Sequence, residues 1–340
     1  MATLRLATEA PAPLATITLG ALLAYPFPDR EDLVAPWLRQ GESAMLWAPV
    51  GLGKTMLSLT LALAVAGGGT VLGWTSPKPR PVLYVDGEMH AQDLRDRLRL
   101  LAATVEGCDM EAAAANLTVI SRQFQTDGVT FPDLGQPEDQ SVILRHAARV
   151  GAELVILDNF ATLCEVADEN EAAAMSPVLS FLLRMKQAGR ACILVHHSGK
   201  TGTDYRGSSK LGATFEVIIG LHRLEGRLVG DGAGFELRWG KYRGKPSAAT
   251  RDMEVTLAGA TEGAARWQHG PSSNAEIPAM LDAVQSGRFT TQRALATELG
   301  WDPSKVARLK NKSIMQGSIT DRAWKACLDG SSVGDLGQDF

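Results

Sequence analysis

Cysteine is scarce in this chain, and its arrangement excludes two structural devices. The 340 residues include four cysteines, Cys108, Cys164, Cys192 and Cys327. None of them stands in a C-x-x-C pair, so the spacing indicates neither a zinc site nor a disulfide framework. We therefore expect a protein of the reducing cytoplasm.

A long apolar run and an excess of positive charge are also missing. The longest apolar stretch is too short to span a bilayer and ends in Gly67-Gly68-Gly69. The first residues lack the basic start and continuous apolar run of a signal peptide. We therefore expect no membrane partner. Because the net charge is -4, any surface that binds nucleic acid must be local.

A glycine-rich loop between two apolar runs is the most informative feature that is present. Its residues are Ala48, Pro49, Val50, Gly51, Leu52, Gly53, Lys54 and Thr55, followed by Met56. Gly51 and Gly53 leave room for backbone amides to cradle a polyphosphate. Lys54 would reach the β- and γ-phosphates, and the Thr55 hydroxyl would hold Mg²⁺. Ala48 stands where the full pattern has glycine. The loop predicts a site for ATP and Mg²⁺.

Apolar segments of strand length alternate with helical segments through the first two thirds of the chain. Strands are predicted at 43–47, 82–85, 117–120, 154–158 and 191–195, and helices at 56–66, 91–103, 140–150 and 175–188. Strands that are apolar throughout and separated by helices indicate a parallel sheet covered on both faces. Segments 235–239 and 253–257 alternate in polarity, so we expect the sheet to finish in antiparallel strands. The predicted fold class is an α/β phosphate-loop core.

Composition divides the chain into five parts. We predict a tail and arm at 1–40, an ATPase domain at 41–266 and a linker at 267–275. A helix-turn-helix-like domain, with or without a wing, is predicted at 276–328, and a flexible tail at 329–340.

Two acids follow predicted strands at the edge where ligands of parallel sheets bind. Asp158 ends a strand, where a carboxylate would serve Mg²⁺ together with Thr55. Glu88 follows the strand after the loop helix, and a carboxylate there can deprotonate the water that attacks the γ-phosphate. Asp86 lies two residues earlier and is its nearest rival.

Histidines and cations follow the next apolar strand. His196 and His197 point to opposite sides of an extended chain, so only one would touch nucleotide, and we favour His197 as a γ-phosphate sensor. The glycine-containing loop that follows carries Lys200, Arg206 and Lys210. These cations would grip a polyanion in one nucleotide state, although a solvated surface loop explains them equally well.

Lys241 and Arg243 close a later strand. At positions i and i+2 they point to the same side, which suits reaching one phosphate together. At a subunit boundary, they would act on the neighbouring protomer's nucleotide.

These motifs, in this order, resemble the RecA-like hexameric ATPases, most closely the plasmid RepA-type replicative helicases. The resemblance covers residues 40 to 260 and rests on five stretches: 51–55 (GLGKT), 85–88 (VDGE), 157–159 (LDN), 195–200 (VHHSGK) and 206–209 (RGSS). It implies a RecA-like fold in which Glu88 activates water, Asp158 serves Mg²⁺ and His197 senses the γ-phosphate. It also implies a ring, usually of six subunits, with nucleotide between protomers and single-stranded DNA in the hole.

One part of the family pattern is displaced. The RepA-type arginine finger would fall near Glu216, where this chain has no arginine. The K-x-R-G pattern at 241–244 is similar to the finger strand of related bacterial replicative helicases, so the resemblance assigns that role to Lys241 and Arg243.

The last predicted helices form a separate basic feature. Three helices are predicted here, at 277–286, 291–299 and 305–315. The second and third, joined by a turn at Gly300, are typical of a helix-turn-helix. The third helix carries Lys305, Arg308, Lys310 and Lys312 and no acid. It would bind DNA, with a helical protein–protein module as the alternative.

The sequence thus supports two hypotheses about function. The first is an ATP-driven, ring-forming DNA motor, a replicative helicase of a plasmid, phage or integrative element. The second is an ATP-switched regulatory or assembly protein that binds DNA without unwinding it. Both use the same ATP site.

Overall fold

The computed structural model describes residues 14–165, 176–199, 209–224, 232–260, 265–315 and 318–329. It divides the chain into two units, Met1–Glu31 and Asp32–Phe340. In the first unit a short helix, α1 (Leu19–Ala24), is capped by the Thr18 hydroxyl and has no buried residue. The predicted arm therefore ends at residue 31 rather than 40.

Short strands make up much of the second unit. They are β1 Asp32–Val34, β2 Leu38–Arg39, β3 Ser43–Ala48, β4 Gly69–Val71, β5 Trp74–Ser76, β6 Val82–Asp86, β7 Leu117–Ser121, β8 Leu154–Asp158, β9 Ala191–His197, β10 Val217–His222, β11 Gly234–Tyr242, β12 Met253–Ala258 and β13 Arg266–Pro271.

Helices lie between the strands of the second unit and also form its C-terminal part. They are α2 Lys54–Gly67, α3 Ala91–Ala102, α4 Met110–Asn116, α5 Pro137–Arg149, α6 Phe160–Leu163, α7 Ser176–Gln187, α8 Ser209–Thr214, α9 Ser273–Gln285, α10 Gln292–Glu298, α11 Pro303–Met315 and α12 Asp321–Leu328. Within the described ranges, every helix is too short or too polar to span a lipid bilayer.

The main sheet has nine strands in the order β13-β12-β11-β10-β3-β9-β8-β6-β7. From β10 to β7 neighbouring strands are parallel. From β10 to β13 they are antiparallel. The prediction of a mostly parallel sheet that finishes in antiparallel strands is confirmed, and β3 lies in its middle, between β9 and β10.

Helices cover both faces of the sheet because the parallel strands are apolar on both sides. Along β8, Leu154 and Ile156 face the cluster that contains α2 and α3. Val155 and Leu157 face the cluster that contains α5, α6 and α7. Each fully buried aliphatic side chain of this kind stabilises the fold by about 1.5–3 kcal/mol.

The central helix α2 is buried almost all round. Of its residues only Thr55 and Met56 are not buried, which is the pattern of a helix enclosed by other elements. The helix that begins at the glycine-rich loop is therefore held rigidly against the sheet.

Strand β13 replaces the first half of the predicted linker. It pairs with β12 from Met253↔Pro271 to Ala258↔Arg266. Its buried residue Trp267 donates from Nε1 to Thr60 Oγ1 of α2 at 3.0 Å. A polar edge strand shows little apolar alternation, so its sequence is easily taken for a loop.

The last helices, α9 to α12, have a core of their own. It includes Met280, Leu295, Leu309 and Trp324, each almost fully buried. The described residues after β13 form helices and turns only, so the part of this domain that the structure describes contains no wing.

Candidate nucleotide site

The glycine-rich loop joins the end of β3 to the start of α2 and leaves its backbone open. Gly51 and Gly53 have φ values of 77° and 100°, which side chains other than glycine rarely adopt. A Cβ atom on Gly53 would also lie 2.5 Å from the Ala233 Cβ atom. Both glycines are therefore required by the backbone, as the phosphate cradle predicts.

Ala48, the departure from the full motif, lies outside the cradle. Its side chain is fully buried at the end of β3, and its carbonyl accepts a hydrogen bond from the Ser198 amide at 3.0 Å. A methyl group is accommodated there because it points into the core.

The loop opens into a cleft of about 820 Å³ at the carboxyl edge of the sheet. This size suits a nucleotide. Its lining includes Val50, Gly51, Gly53, Lys54, Thr55 and Met56 from the loop and α2, together with Asp86, Glu88, Asp158 and His197 from three strand ends. Of the predicted nucleotide contacts, all within the described residues, Ala48, Pro49 and Leu52 do not line the cleft.

Lys54 lines the cleft and interacts with the charges of two carboxylates. Its side chain is 7% exposed, and burial lowers its pKa while the charges of Asp158 and Glu88 act in the opposite direction. A lysine starts from a pKa near 10.4, so the carboxylates help to keep this one charged. A buried cation at a helix N-terminus is suited to binding phosphate.

Asp158 is held by hydroxyl groups. The Tyr84 hydroxyl donates to its Oδ2 at 2.7 Å and the Ser58 hydroxyl at 3.3 Å, and the Thr55 hydroxyl is a further donor. Burial raises the pKa of Asp158, and these donors and Lys54 oppose that rise. The arrangement places Thr55 beside Asp158, the pair predicted to hold Mg²⁺, and carboxylate and hydroxyl oxygens are ligands that Mg²⁺ accepts.

Sequence reasoning missed Tyr84 and Ser58. They also contact each other at 2.8 Å, and both are fully buried. Ser58 lies one helical turn after Thr55 in a mostly apolar helix, a signal that could have identified it.

The structure distinguishes Glu88 from its rival Asp86. Asp86 is 1% exposed and accepts the Met89 amide at 3.0 Å, so it stabilises the turn after β6. Burial raises the pKa of Asp86 to about 6, and the charge of Asp158 adds to the rise. Glu88 is exposed at the cleft wall. Both acids line the cleft, but Glu88 is the exposed one and is therefore the better placed to meet a water molecule there.

Asn159 orients the Glu88 carboxylate and was missed by sequence reasoning. Its side-chain amide donates to Glu88 Oε2 at 2.6 Å, and its side chain is 1% exposed. Its own oxygen accepts the Thr162 amide and caps α6. Because the Asn159 amide binds Oε2, it leaves the other carboxylate oxygen, Oε1, without a hydrogen bond from Asn159.

We expect Asn159→Asp to lower kcat for ATP about 10- to 100-fold while KM changes little, since a hydrogen bond to a charged group contributes about 1.5–3 kcal/mol. Aspartate still caps α6 but cannot donate to Glu88, and it adds a like charge beside it. Steady-state ATPase kinetics measure the change.

Asn116→Asp is the matched control, because Asn116 donates to the Ala66 carbonyl at 2.9 Å away from the cleft. The loss should also shrink in a Glu88→Gln background. An equal loss in both backgrounds would contradict the assigned role.

The two histidines separate as predicted. His196 is fully buried, with its ring packed edge-on against Phe160 at 4.8 Å between centroids. His197 lines the cleft. Of the three predicted loop cations, Lys200 and Arg206 lie outside the described residues. Lys210 lies in α8, but the structure does not describe its side chain.

Lys241 and Arg243 share one side of β11 and its end, but they do not line the cleft of their own chain. Lys241 Nζ donates to the Gly212 carbonyl at 2.8 Å, and an Arg243 guanidinium nitrogen donates to the Ala213 carbonyl at 3.1 Å. Both therefore hold the end of α8. Arg243 also lies 3.7 Å from Glu216, which accepts the Ser43 amide at the start of β3. Burial lowers the pKa of Lys241, and the positive charge of Arg243 lowers it further.

The four predicted cations of α11 differ in their surroundings. Lys305 Nζ lies 2.5 Å from Glu276 and over the Trp301 ring, and Lys310 Nζ lies 2.6 Å from Asp321 and over the Trp324 ring. Lys312 is half-buried, and Arg308 is exposed.

Comparison with known proteins shows which family this chain belongs to. The model of the family described as AAA domain matches residues 8–203. Among solved structures, the KaiC-like protein PH0186 from the hyperthermophilic archaeon Pyrococcus horikoshii OT3 is 16% identical over 70% of this chain and 94% of its own, with a TM-score of 0.49. That likeness is too slight to bear on function.

Proposed function

This chain belongs to the AAA domain family and is a P-loop ATPase with a RecA-like fold, and we propose that it is a ring-forming DNA motor. We propose that it works as a replicative helicase of the RepA type, which unwinds DNA of a plasmid, phage or integrative element. The ring is a hexamer with single-stranded DNA in its channel.

One observation carries the proposal. His197 lines the nucleotide cleft and lies at the end of β9, directly before the segment that contains Lys200, Arg206 and Lys210. A side chain that touches the γ-phosphate at this position would pass the nucleotide state to the cations that follow it in the chain. A motor needs this link between hydrolysis and grip on DNA.

The cleft supplies the parts that hydrolysis requires. Lys54 and the open backbone of the loop would bind the phosphates, and Thr55 and Asp158 would hold Mg²⁺, which neutralises charge on the phosphates when bound. Glu88, oriented by Asn159, would accept a proton from the attacking water. The Tyr84 and Ser58 hydroxyls keep Asp158 in place.

The proposal is tested with the full-length protein and Mg²⁺-ATP. We expect single-stranded DNA to stimulate ATP hydrolysis, a forked duplex to be unwound in one polarity, and negative-stain images with ATP and single-stranded DNA to contain six-membered rings. Absence of both DNA-stimulated hydrolysis and strand displacement in either polarity would overturn it.

A second function, an ATP-switched regulatory or assembly protein, is supported by the separate helical core of α9 to α12 and its basic helix. The combined substitutions Lys200→Ala, Arg206→Ala and Lys210→Ala distinguish the two. If single-strand binding and ATPase stimulation survive these changes, the regulatory function is supported instead of the motor.

We expect Arg243→Ala to remove most ATPase activity in a uniform ring and to be rescued in part by mixing. Because Lys241 and Arg243 do not line their own cleft, we propose that they act on the neighbouring protomer's nucleotide. An arginine that acts in trans contributes about 10³- to 10⁵-fold in kcat.

Arg243→Ala protomers have an intact cleft, and Lys54→Ala protomers have an intact finger. Mixed rings should therefore regain activity in proportion to the number of productive boundaries. A mixture that stays as inactive as its two components would show that the site is complete within one chain.

A further inference from the structure

The helices α10 and α11 form a helix-turn-helix within the C-terminal helical core. Gly300, with a φ of 65°, lies in the turn between them, and the Trp301 amide donates to the Ala296 carbonyl at 2.8 Å. Leu295 of α10 and Val306 and Leu309 of α11 share one buried cluster. In such a motif the second helix is the element that enters a DNA groove.

The side chains of α11 divide into an inner and an outer face. Val306, Leu309 and Ser313 are buried. Ser304, Arg308, Asn311 and Met315 are exposed and are spaced at i, i+4, i+7 and i+11. This spacing places them in one stripe along the outer side of the helix, and we call these four residues the outer stripe.

Arg308 and Asn311 of the outer stripe are available to a partner, whereas Lys305 and Lys310 of the same helix are already ion-paired. Lys305 and Lys310 form ion pairs with Glu276 and Asp321 inside the domain. Across the described residues, Arg308 and Asn311 make no side-chain hydrogen bond or ion pair. All four cations of α11 were predicted to bind DNA. Arg308 is the one that belongs to the outer stripe.

The chemistry of the outer stripe fits the edges of base pairs better than a protein surface. An arginine can donate two parallel hydrogen bonds to guanine O6 and N7, and an asparagine can pair with adenine N6 and N7. A protein interface would instead present an apolar centre, and Met315 at the far end is the one apolar member of the stripe.

Charge supports the same partner. From residue 273 to residue 328 the chain has eight lysines and arginines and five acids, although the whole chain has a net charge of -4. Duplex DNA attracts a domain that carries such a local positive excess.

We propose that the C-terminal helical domain binds duplex DNA sequence-selectively, with Arg308 and Asn311 of α11 reading base edges in the major groove. This binding is separate from the channel that would hold single-stranded DNA, and it requires neither ATP nor ring formation. The chain would thus recognise a particular site as well as move along DNA.

The test uses the full-length protein without nucleotide and a library of random duplexes about 20 base pairs long, two turns of the double helix. We expect selection to enrich a short motif that contains guanine and adenine. Arg308→Ala should weaken binding to the enriched duplex about 10- to 100-fold. Asn311→Ala should weaken the base preference at a single position of the motif.

Two further variants separate base reading from simple charge. Lys325→Ala removes one positive charge from α12, outside the stripe, and is expected to change affinity less than about 3-fold, as for an exposed rim charge. Arg308→Lys keeps the charge but loses the two-pronged geometry, so it should bind random duplex like the wild type and lose preference for the motif.

Several results would overturn the proposal. They are selection without any enriched motif, Arg308→Ala binding the enriched duplex as tightly as Lys325→Ala does, and Arg308→Lys keeping full selectivity. Thermal unfolding of each variant checks that the domain remains folded. A failure of the motor proposal, seen as absent ATPase activity, leaves this measurement unaffected because no nucleotide is present.

Discussion

Glu88→Gln is expected to keep ATP binding and to lower kcat about 10²- to 10⁴-fold, the contribution of a positioned general base. Glutamine matches the shape of glutamate and can still accept a hydrogen bond from the Asn159 amide, but it cannot accept the proton of the attacking water. The change therefore acts on the transition state rather than on binding of the substrate. Titration with a fluorescent ATP analogue measures binding, and phosphate release measures turnover.

The matched control is Glu111→Gln, an equivalent change at an exposed position of α4. It should leave both quantities unchanged. If Glu88→Gln hydrolyses ATP at the wild-type rate, the general base is another residue. Asp86 is then the first alternative, although its carboxylate is engaged by the Met89 amide.

The parallel half of the sheet was predictable from the sequence because its strands are buried on both faces. The run at 154–158 was predicted with the bounds that β8 has, and β3 and β6 differ from prediction by a single residue at the carboxyl end. Continuous apolar runs of this length have few other interpretations. The predicted acids and His197 share one cleft because each follows such a strand.

The antiparallel half was harder to predict because its edge strands are polar. Strand β10 was also not predicted, although it is neither polar nor at an edge: it is a buried apolar strand that pairs with β3 in the centre of the sheet. Strand order is set by tertiary pairing between segments far apart in sequence, which local patterns do not contain. The pairing of β11 with β10 also places Ala233, which directly precedes β11, against Gly53.

The hydrogen bond from Asn159 to Glu88 could not be predicted for a similar reason. The two residues are 71 positions apart and lie at the ends of strands β8 and β6, which pair in parallel. Sequence alone identified both strand ends but not their adjacency in the sheet. A search for polar residues directly after every predicted strand would have included Asn159.

Lys54→Ala is expected to abolish detectable ATP binding, with an affinity loss of about 100-fold or more. Lys54 is almost fully buried, so its charge acts on a phosphate with little screening by water. It also lies near the carboxylates of Glu88 and Asp158. Without it, those acids would repel the phosphates with no fixed cation from α2 between them.

Loss of binding must be separated from loss of the fold. Lys54 opposes the rise in the pKa of Asp158 that burial causes, so its removal favours the protonated form of that acid and weakens the local network. Equilibrium unfolding of Lys54→Ala in the absence of nucleotide reports this effect directly. Lys325→Ala removes the same charge from an exposed position and should keep wild-type affinity for ATP.

The two cleft variants together test the division of labour. In the proposed mechanism Lys54 acts in the ground state, where it would hold the phosphates, whereas Glu88 would act only when water attacks. Lys54→Ala should therefore show no ATP binding in the titration. Glu88→Gln should bind ATP like the wild type and hydrolyse it far more slowly. Equal loss of binding in both variants would mean that the two side chains form one structural unit, and the roles assigned to them would be wrong.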